Sequence, residues 1–200
     1  MKSYKAVGLI VALCFGLTLS AVAQGGGQSS SEPPTIASVL NRQLGSIERE
    51  VMGAAEAIPE DKYDFSPATA NIPGDFKTPN PVRTMSEQFK HIGDALESYS
   101  ASVLGQKHEG SSDENGPKNV KTKAEVISFL KAEFAKAHSA IDTINQQNVV
   151  EPIATSSGKG KTTRLSGAIS MIGHTNNHYG QIIEYLRMNG MVPPESQPRK

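Results

Sequence analysis

Three stretches of this chain place an apolar residue at every third or fourth position, the interval that lines one face of an α-helix and no face of a β-strand, and a fourth stretch is apolar-rich. In the first, Ile36, Val39, Leu40, Leu44, Ile47, Val51, Ala54 and Ile58 form one stripe that stops before Pro59. In the second, Met85, Phe89, Ile92, Leu96, Tyr99 and Val103 share a face behind Thr84-Met85-Ser86-Glu87. That tetrad is a capping box, whose Thr hydroxyl and Glu carboxylate satisfy amides orphaned at a helix start. The box recurs as Thr122-Lys123-Ala124-Glu125 ahead of Ile127, Leu130, Phe134, Ala137, Ile141 and Ile144. A fourth stretch, from Arg164 to Asn189, is stopped by Gly190 and barred from continuing by Pro193-Pro194. No strand-period alternation or internal repeat competes with this pattern. The expected fold is therefore all-α, a four-helix bundle over residues 35–195 with a short tail, 196–200.

The connections are polar or turn-rich. Residues 59–83 hold five prolines and read as one long connection, with Tyr63 and Phe65 tucked against the bundle. Segments 105–116 and 149–164 read as solvated loops. The fourth helix differs from the others because Leu165, Ile169, Ile172, Ile182, Ile183 and Leu186 cover more than half its circumference. This distribution predicts burial on two sides, the second by another copy of the chain in a homodimer. Across 200 residues, Lys and Arg equal Asp and Glu at 20 each, which argues against a nucleic-acid partner. Hydrophobic residues at 37% with 6% aromatics and no Trp suit a lean helical core.

The first 23 residues read as an export signal. Lys2 and Lys5 precede an apolar run from Ala6 to Leu17, and Ala21-Val22-Ala23 before Gln24 is a small-x-small cleavage pattern. The run is shorter than the roughly 20 residues that span a bilayer, so no membrane attachment is expected once the signal is removed. The predicted destination is periplasmic or extracellular. Cleavage would remove Cys14, the only cysteine, so chemistry in that compartment would proceed without a protein thiolate. Residues 24–34, QGGGQSSSEPP, have the composition of a flexible, disordered linker.

Within the fourth helix, His174 and His178 are four residues apart, which aims both imidazoles along one face and within reach of one metal ion. Such a pair needs a third ligand. His108 falls in a polar loop and reads as a solvated surface residue, and His138 flanks the apolar stripe of the third helix as a hydrogen-bonded boundary residue. His91 lies on the margin of the second helix's core face, beside Gln88 and Ala95, and is the best third ligand. Gln181 and Tyr185 share the lane of His174 and His178 and are placed to contact a bound ligand. Asp94 and Glu184 are the carboxylates nearest the histidines along each helix, candidates for proton transfer or for a supporting role; no catalytic residue is assigned.

Three segments together carry a family resemblance: PEDKYDF, VRTMSEQFKHIGDAL and HTNNHYGQIIEYLRMNGMVPPE. From Thr35 to Glu195 the chain resembles the DinB/YfiT-like superfamily of four-helix-bundle proteins. In that superfamily a His early in the second helix and a late H-x-x-x-H pair bind one divalent metal, which by motif position implies His91, His174 and His178. The chain departs at Tyr179, where a basic residue is common. Relatives include metal-dependent transferases acting on low-molecular-weight thiols, and an exported member would need another small-molecule substrate or no catalysis. Three neutral imidazoles leave a divalent ion, Zn, Ni, Fe or Mn, with its charge uncancelled and a position open, a setting for hydrolysis or Lewis-acid transfer. The alternative expectation is a non-catalytic helical interaction and dimerisation module whose histidines are structural.

Overall fold

The computed structural model describes residues 33–70, 82–108, 110 and 113–198. The export signal expected over 1–23 lies outside the described residues, as do the linker at 24–34 apart from its last two residues and the middle of the 59–83 connection. The expected helices form as α1 (Ile36–Ala57), α2 (Met85–Leu104), α3 (Lys123–Asp142) and α4 (Arg164–Met188). A threonine caps each start: Thr35, Thr84, Thr122 and Thr163 accept from the amides of Ser38, Glu87, Glu125 and Ser166. Both capping boxes are closed by their glutamates. At the other end of α4, Gly190 turns into the left-handed region with φ 70° and the helix stops as expected.

Cross-helix contacts give the directions. Lys123 at the start of α3 donates to the Ile58 carbonyl just past the end of α1, so these two helices are antiparallel. Gln88 near the start of α2 bonds Gln181 near the end of α4, so that pair is antiparallel too. Gly93 sits against Phe129, and Ser100 shares a groove with Ser139, so α2 and α3 run parallel. The bundle is therefore up-down-down-up, and the segment between α2 and α3 must travel the length of the bundle. This crossover runs over the outside of α2. Gly116, at φ 75°, lies so close to the Lys90 carbonyl that a Cβ would come within 2.7 Å of its oxygen, and Arg83 ties the crossover down by pairing with Glu114 at 2.9 Å.

The core is the meeting of the predicted stripes, with Leu44, Phe89, Leu96, Phe134, Met171 and Leu186 fully buried. Tyr63 and Phe65 tuck in as expected. The Tyr63 hydroxyl donates to the Ala55 carbonyl at 2.7 Å, its ring stacks on Phe89, and Phe65 meets Tyr185 edge-on. Their carbonyls accept from the Ser86 and Met85 amides at 2.8 Å, so the start of α2 is satisfied by the connection that precedes it.

Two details differ from the sequence reading. The loop before α4 contains a short antiparallel ribbon, β1 (Pro152–Ala154) paired with β2 (Lys161–Thr163). Three residues per strand are too few for alternation to register as a pattern. The buried face of α4 also mixes large apolar residues, Met171, Ile182 and Leu186, with small and polar ones, Gly167, Ala168, Thr175 and His178, whereas Ile169 is 57% exposed and Ile172 only partly covered. Close approach of α2 selects small side chains at Gly167 and Ala168, and Ile169, Ile172 and Ile183 fall on the outer side within one chain. No described helix is long and apolar enough to cross a membrane.

The α2–α3 seam gives a direct test of this packing. A methyl group at Gly93 would overlap the edge of the Phe129 ring, so Gly93→Ala is expected to lower stability by about 1–3 kcal/mol in urea denaturation despite the better helix propensity of alanine. Unchanged or increased stability would contradict the close contact.

Candidate metal centre

The site is assembled where α2 crosses the middle of α4. Threonine capping and the Tyr63 and Phe65 carbonyls anchor the start of α2, which holds His91 a short way into the helix. On α4, the four-residue spacing stacks His174 and His178 on the face turned toward α2. Their ring centroids are 4.4 Å apart, and those of His91 lie 5.0 Å from His174 and 4.5 Å from His178. One ligand nitrogen from each of the three rings falls within 4.8 Å of the others, the only such histidine, cysteine or carboxylate group found among the described residues. His178 is buried and the other two are half-buried.

The donor set suits a divalent ion. Nε2 of His91 and Nε2 of His174 are 3.3 Å apart, close to the roughly 3.3–3.4 Å that separates two nitrogens bound at about 2.0–2.1 Å to one tetrahedral ion. Without a cation between them, this contact is a hydrogen bond when one Nε2 carries the proton and donates to the lone pair of the other. Nδ1 of His174 is buried with no hydrogen-bond partner, and the Tyr99 ring packs edge-on against this imidazole at 5.5 Å. His178 is held differently: its Nδ1 lies 2.9 Å from Oε1 of the buried Gln88. An amide oxygen only accepts, so Nδ1 carries the proton and the Nε2 lone pair remains for a metal.

Burial keeps all three imidazoles neutral. Desolvation is the largest cause for each, followed for His174 by the neighbouring His91 and for His178 by His174 and then His91; their values fall to about 4 and about 3. His91 is lowered by burial and by the Arg83 charge, with Glu114 acting in the opposite sense. Neutral rings are the form that binds metal, and the preorganised cluster lacks a carboxylate ligand to cancel a cation's charge.

Beside the His91 and His174 rings is a cavity of about 270 Å³ lined also by Asp94, Tyr99 and, from the crossover, His108, Asp113 and Glu114. The crossover thus walls the histidine cluster on the side away from the core. His108, expected as a surface residue, is half-buried in this wall and accepts from the Gly110 amide through Nδ1. Asp94 lines the cavity, whereas Glu184 faces outward and pairs with Arg187 at 2.6 Å. His138 is the boundary residue expected, between Asn41 at 2.7 Å and Glu48 at 3.0 Å. Gln181 and Tyr185 both meet Gln88, whose Nε2 donates to Gln181 Oε1 at 2.9 Å and lies 3.4 Å from the Tyr185 hydroxyl. Arg83, Glu114 and Gln88 escaped the sequence reading as site residues. Only Gln88 left a trace there, as a polar residue one turn before His91 on the margin of an apolar face.

Two experiments follow from these contacts. In an unfolded chain histidines take up protons from about pH 6.5 downward, whereas folded His174 and His178 do so only near pH 4 and pH 3. The unfolded state therefore binds more protons in that interval, and metal-free protein is expected to lose stability as pH falls from about 6.5 to about 4. Urea melts across this range should show a shallower loss for His178→Ala than for the parent chain, and equal slopes would contradict the assignment. Because Glu184 is outside the cluster, Glu184→Gln should leave metal affinity within about twofold, while His174→Ala should lower it by at least about tenfold in competition with a chromophoric chelator.

Known proteins give the fold its relatives. The chain matches the sequence model of the DinB superfamily over residues 43–182. Its fold is similar to a DinB-like protein from Bacillus cereus ATCC 10987, with a TM-score of 0.59, 13% identity, and coverage of 80% of this chain and 96% of that one. It is also similar to a conserved protein from Enterococcus faecalis, with a TM-score of 0.55, 12% identity, and coverage of 78% and 98%. No protein of curated function matches the sequence significantly. Since the superfamily match spans well over half of the chain and includes all three clustered histidines, this protein belongs to the DinB superfamily.

Proposed function

We propose that this chain is an exported, divalent-metal-binding member of the DinB superfamily whose three-histidine centre keeps a coordination position open to a small-molecule substrate. The observation that carries the reading is the convergence of His91, His174 and His178, one nitrogen from each within 4.8 Å, with His91 and His174 lining an adjoining cavity. Zn, Ni, Fe and Mn all accept imidazole donors, and a bound ion with an open position supplies Lewis-acid chemistry for hydrolysis or group transfer. His91, His174 and His178 hold the ion. Asp94, Tyr99 and Glu114 face the space a substrate would enter, and Asp94 is the carboxylate nearest at hand on α2 for moving a proton.

Export to the periplasm or the extracellular space rests on the charged, apolar and small-residue regions of the first 23 residues. A homodimer through the outer face of α4 is supported by the exposure of Ile169 and the partial exposure of Ile172 and Ile183. The balanced charge supports a small-molecule partner over a nucleic acid.

Metal analysis of untagged mature protein after Zn²⁺ or Ni²⁺ loading and desalting should find about one equivalent, and less than about 0.2 equivalents of every divalent ion overturns the metal-binding reading. Its rival, a structural helical module, predicts that His174→Ala alters stability or assembly while no metal is bound. Light scattering should report a dimer that Ile169→Asp converts to a monomer; a monomeric parent chain removes the dimer from the proposal.

A further inference from the structure

The contacts behind His178 form a chain with only one workable order of donors and acceptors. It begins at the Arg83 backbone carbonyl, which accepts and cannot donate. The Tyr185 hydroxyl lies 3.1 Å from that oxygen and has a single proton, so it donates there. With its proton committed, the Tyr185 oxygen can only accept from Gln88, 3.4 Å away, and that demands the amide nitrogen of Gln88 on this side. Gln181, whose amide can present either end, accepts through Oε1 at 2.9 Å from the same nitrogen in this orientation. The Gln88 oxygen is thereby turned to His178, whose Nδ1 stands 2.9 Å from it and must bear the proton. Gln88 is only 2% exposed and Tyr185 only 5%, so water does not readily replace either partner.

We infer that Gln88, oriented by Tyr185, is a positioning residue that sets the tautomer of His178 and presents its Nε2 as a metal donor. This role rests on the metal-binding reading for its purpose, but the tautomer itself exists in metal-free protein and is tested there. It also changes the part given to Gln181 and Tyr185. The Tyr185 hydroxyl and the Gln181 Oε1 are engaged with Gln88, and Tyr185 acts on a ligand through His178. With Gln88 reversed, its amide would donate to Nδ1 of His178, the ring proton would move to Nε2, and that nitrogen would face the other two imidazoles with a hydrogen in place of a lone pair.

The test is long-range ¹H–¹⁵N NMR of metal-free protein labelled at histidine nitrogens, at neutral pH where the ring is uncharged, followed by Zn²⁺ titration against a chelator. In the parent chain His178 should be protonated at Nδ1 with Nε2 bare. Tyr185→Phe removes the group that orients Gln88 while keeping the ring, and should give a mixture of tautomers with a several-fold weaker Zn²⁺ affinity. Gln88→Leu removes the acceptor, and should shift His178 toward the Nε2–H form and weaken binding by about 10–100-fold. Circular dichroism and melting curves identify variants that fail to fold, and Tyr185→Phe keeps the test informative if Gln88→Leu is one of them. A parent chain with its proton on Nε2, or variants that leave both tautomer and affinity unchanged, overturns the inference. A correct tautomer response in a protein that binds no Zn²⁺ overturns the metal reading and leaves the positioning of His178 intact.

Discussion

The antiparallel packing of α2 against α4 is the constraint on which the centre depends. Each helix alone presents imidazoles to solvent or to a core margin, and neither can surround a cation. Small residues on the inner face of α4, with Gly167 and Ala168 at one end, let the two backbones come near enough for His91 to reach His174, Nε2 to Nε2, at 3.3 Å. The start of α2 is held in turn by its capping box and by two carbonyls from the preceding connection, so the depth of His91 along the seam is fixed from outside the site. Donors carried on rigid helices are held more closely than donors on loops would be.

Electrostatics then decides what the cluster can accommodate. Three neutral rings crowded together resist protonation because burial disfavours charge and each charged ring would repel the next. Their lone pairs stay available, yet they bring no negative charge. Carboxylates lie just beyond, with Asp94, Asp113 and Glu114 on the cavity wall, although Glu114 is paired with Arg83, whose charge also acts on the histidines. Arg83 occupies both sides of this balance: its guanidinium secures the crossover through Glu114, and its carbonyl receives the Tyr185 proton behind His178. The up-down-down-up path gives a reason for the arrangement, because parallel α2 and α3 require a crossover and this crossover passes over the histidine cluster.

Likeness to the two solved structures, at 12–13% identity, extends to the fold and no further. A four-helix bundle accepts many chemistries in its interior, and side chains at the site select among them. Here those side chains are three imidazoles, an amide that orients one of them, and a polar wall contributed by a long connection.

Much of the architecture was legible in the residue order because it depends on local physics. Apolar spacing marked the first three helices and apolar content the fourth, threonine and glutamate marked the starts of α2 and α3, Gly190 marked the end of α4, and the four-residue interval paired His174 with His178. His91 was legible as a candidate from its position on the margin of a core face. Whether it meets the pair depends on the direction and depth of α2 against α4, which no local pattern encodes, and tertiary packing decided it. The same packing placed Gln88 behind His178, drew Gln181 and Tyr185 into contact with that amide, set His108 in the cavity wall and turned Ile169 outward. Hydrogen-bond partners more than 80 residues apart in the chain leave no periodic trace, because their meeting is a property of the assembled helices and not of any one of them.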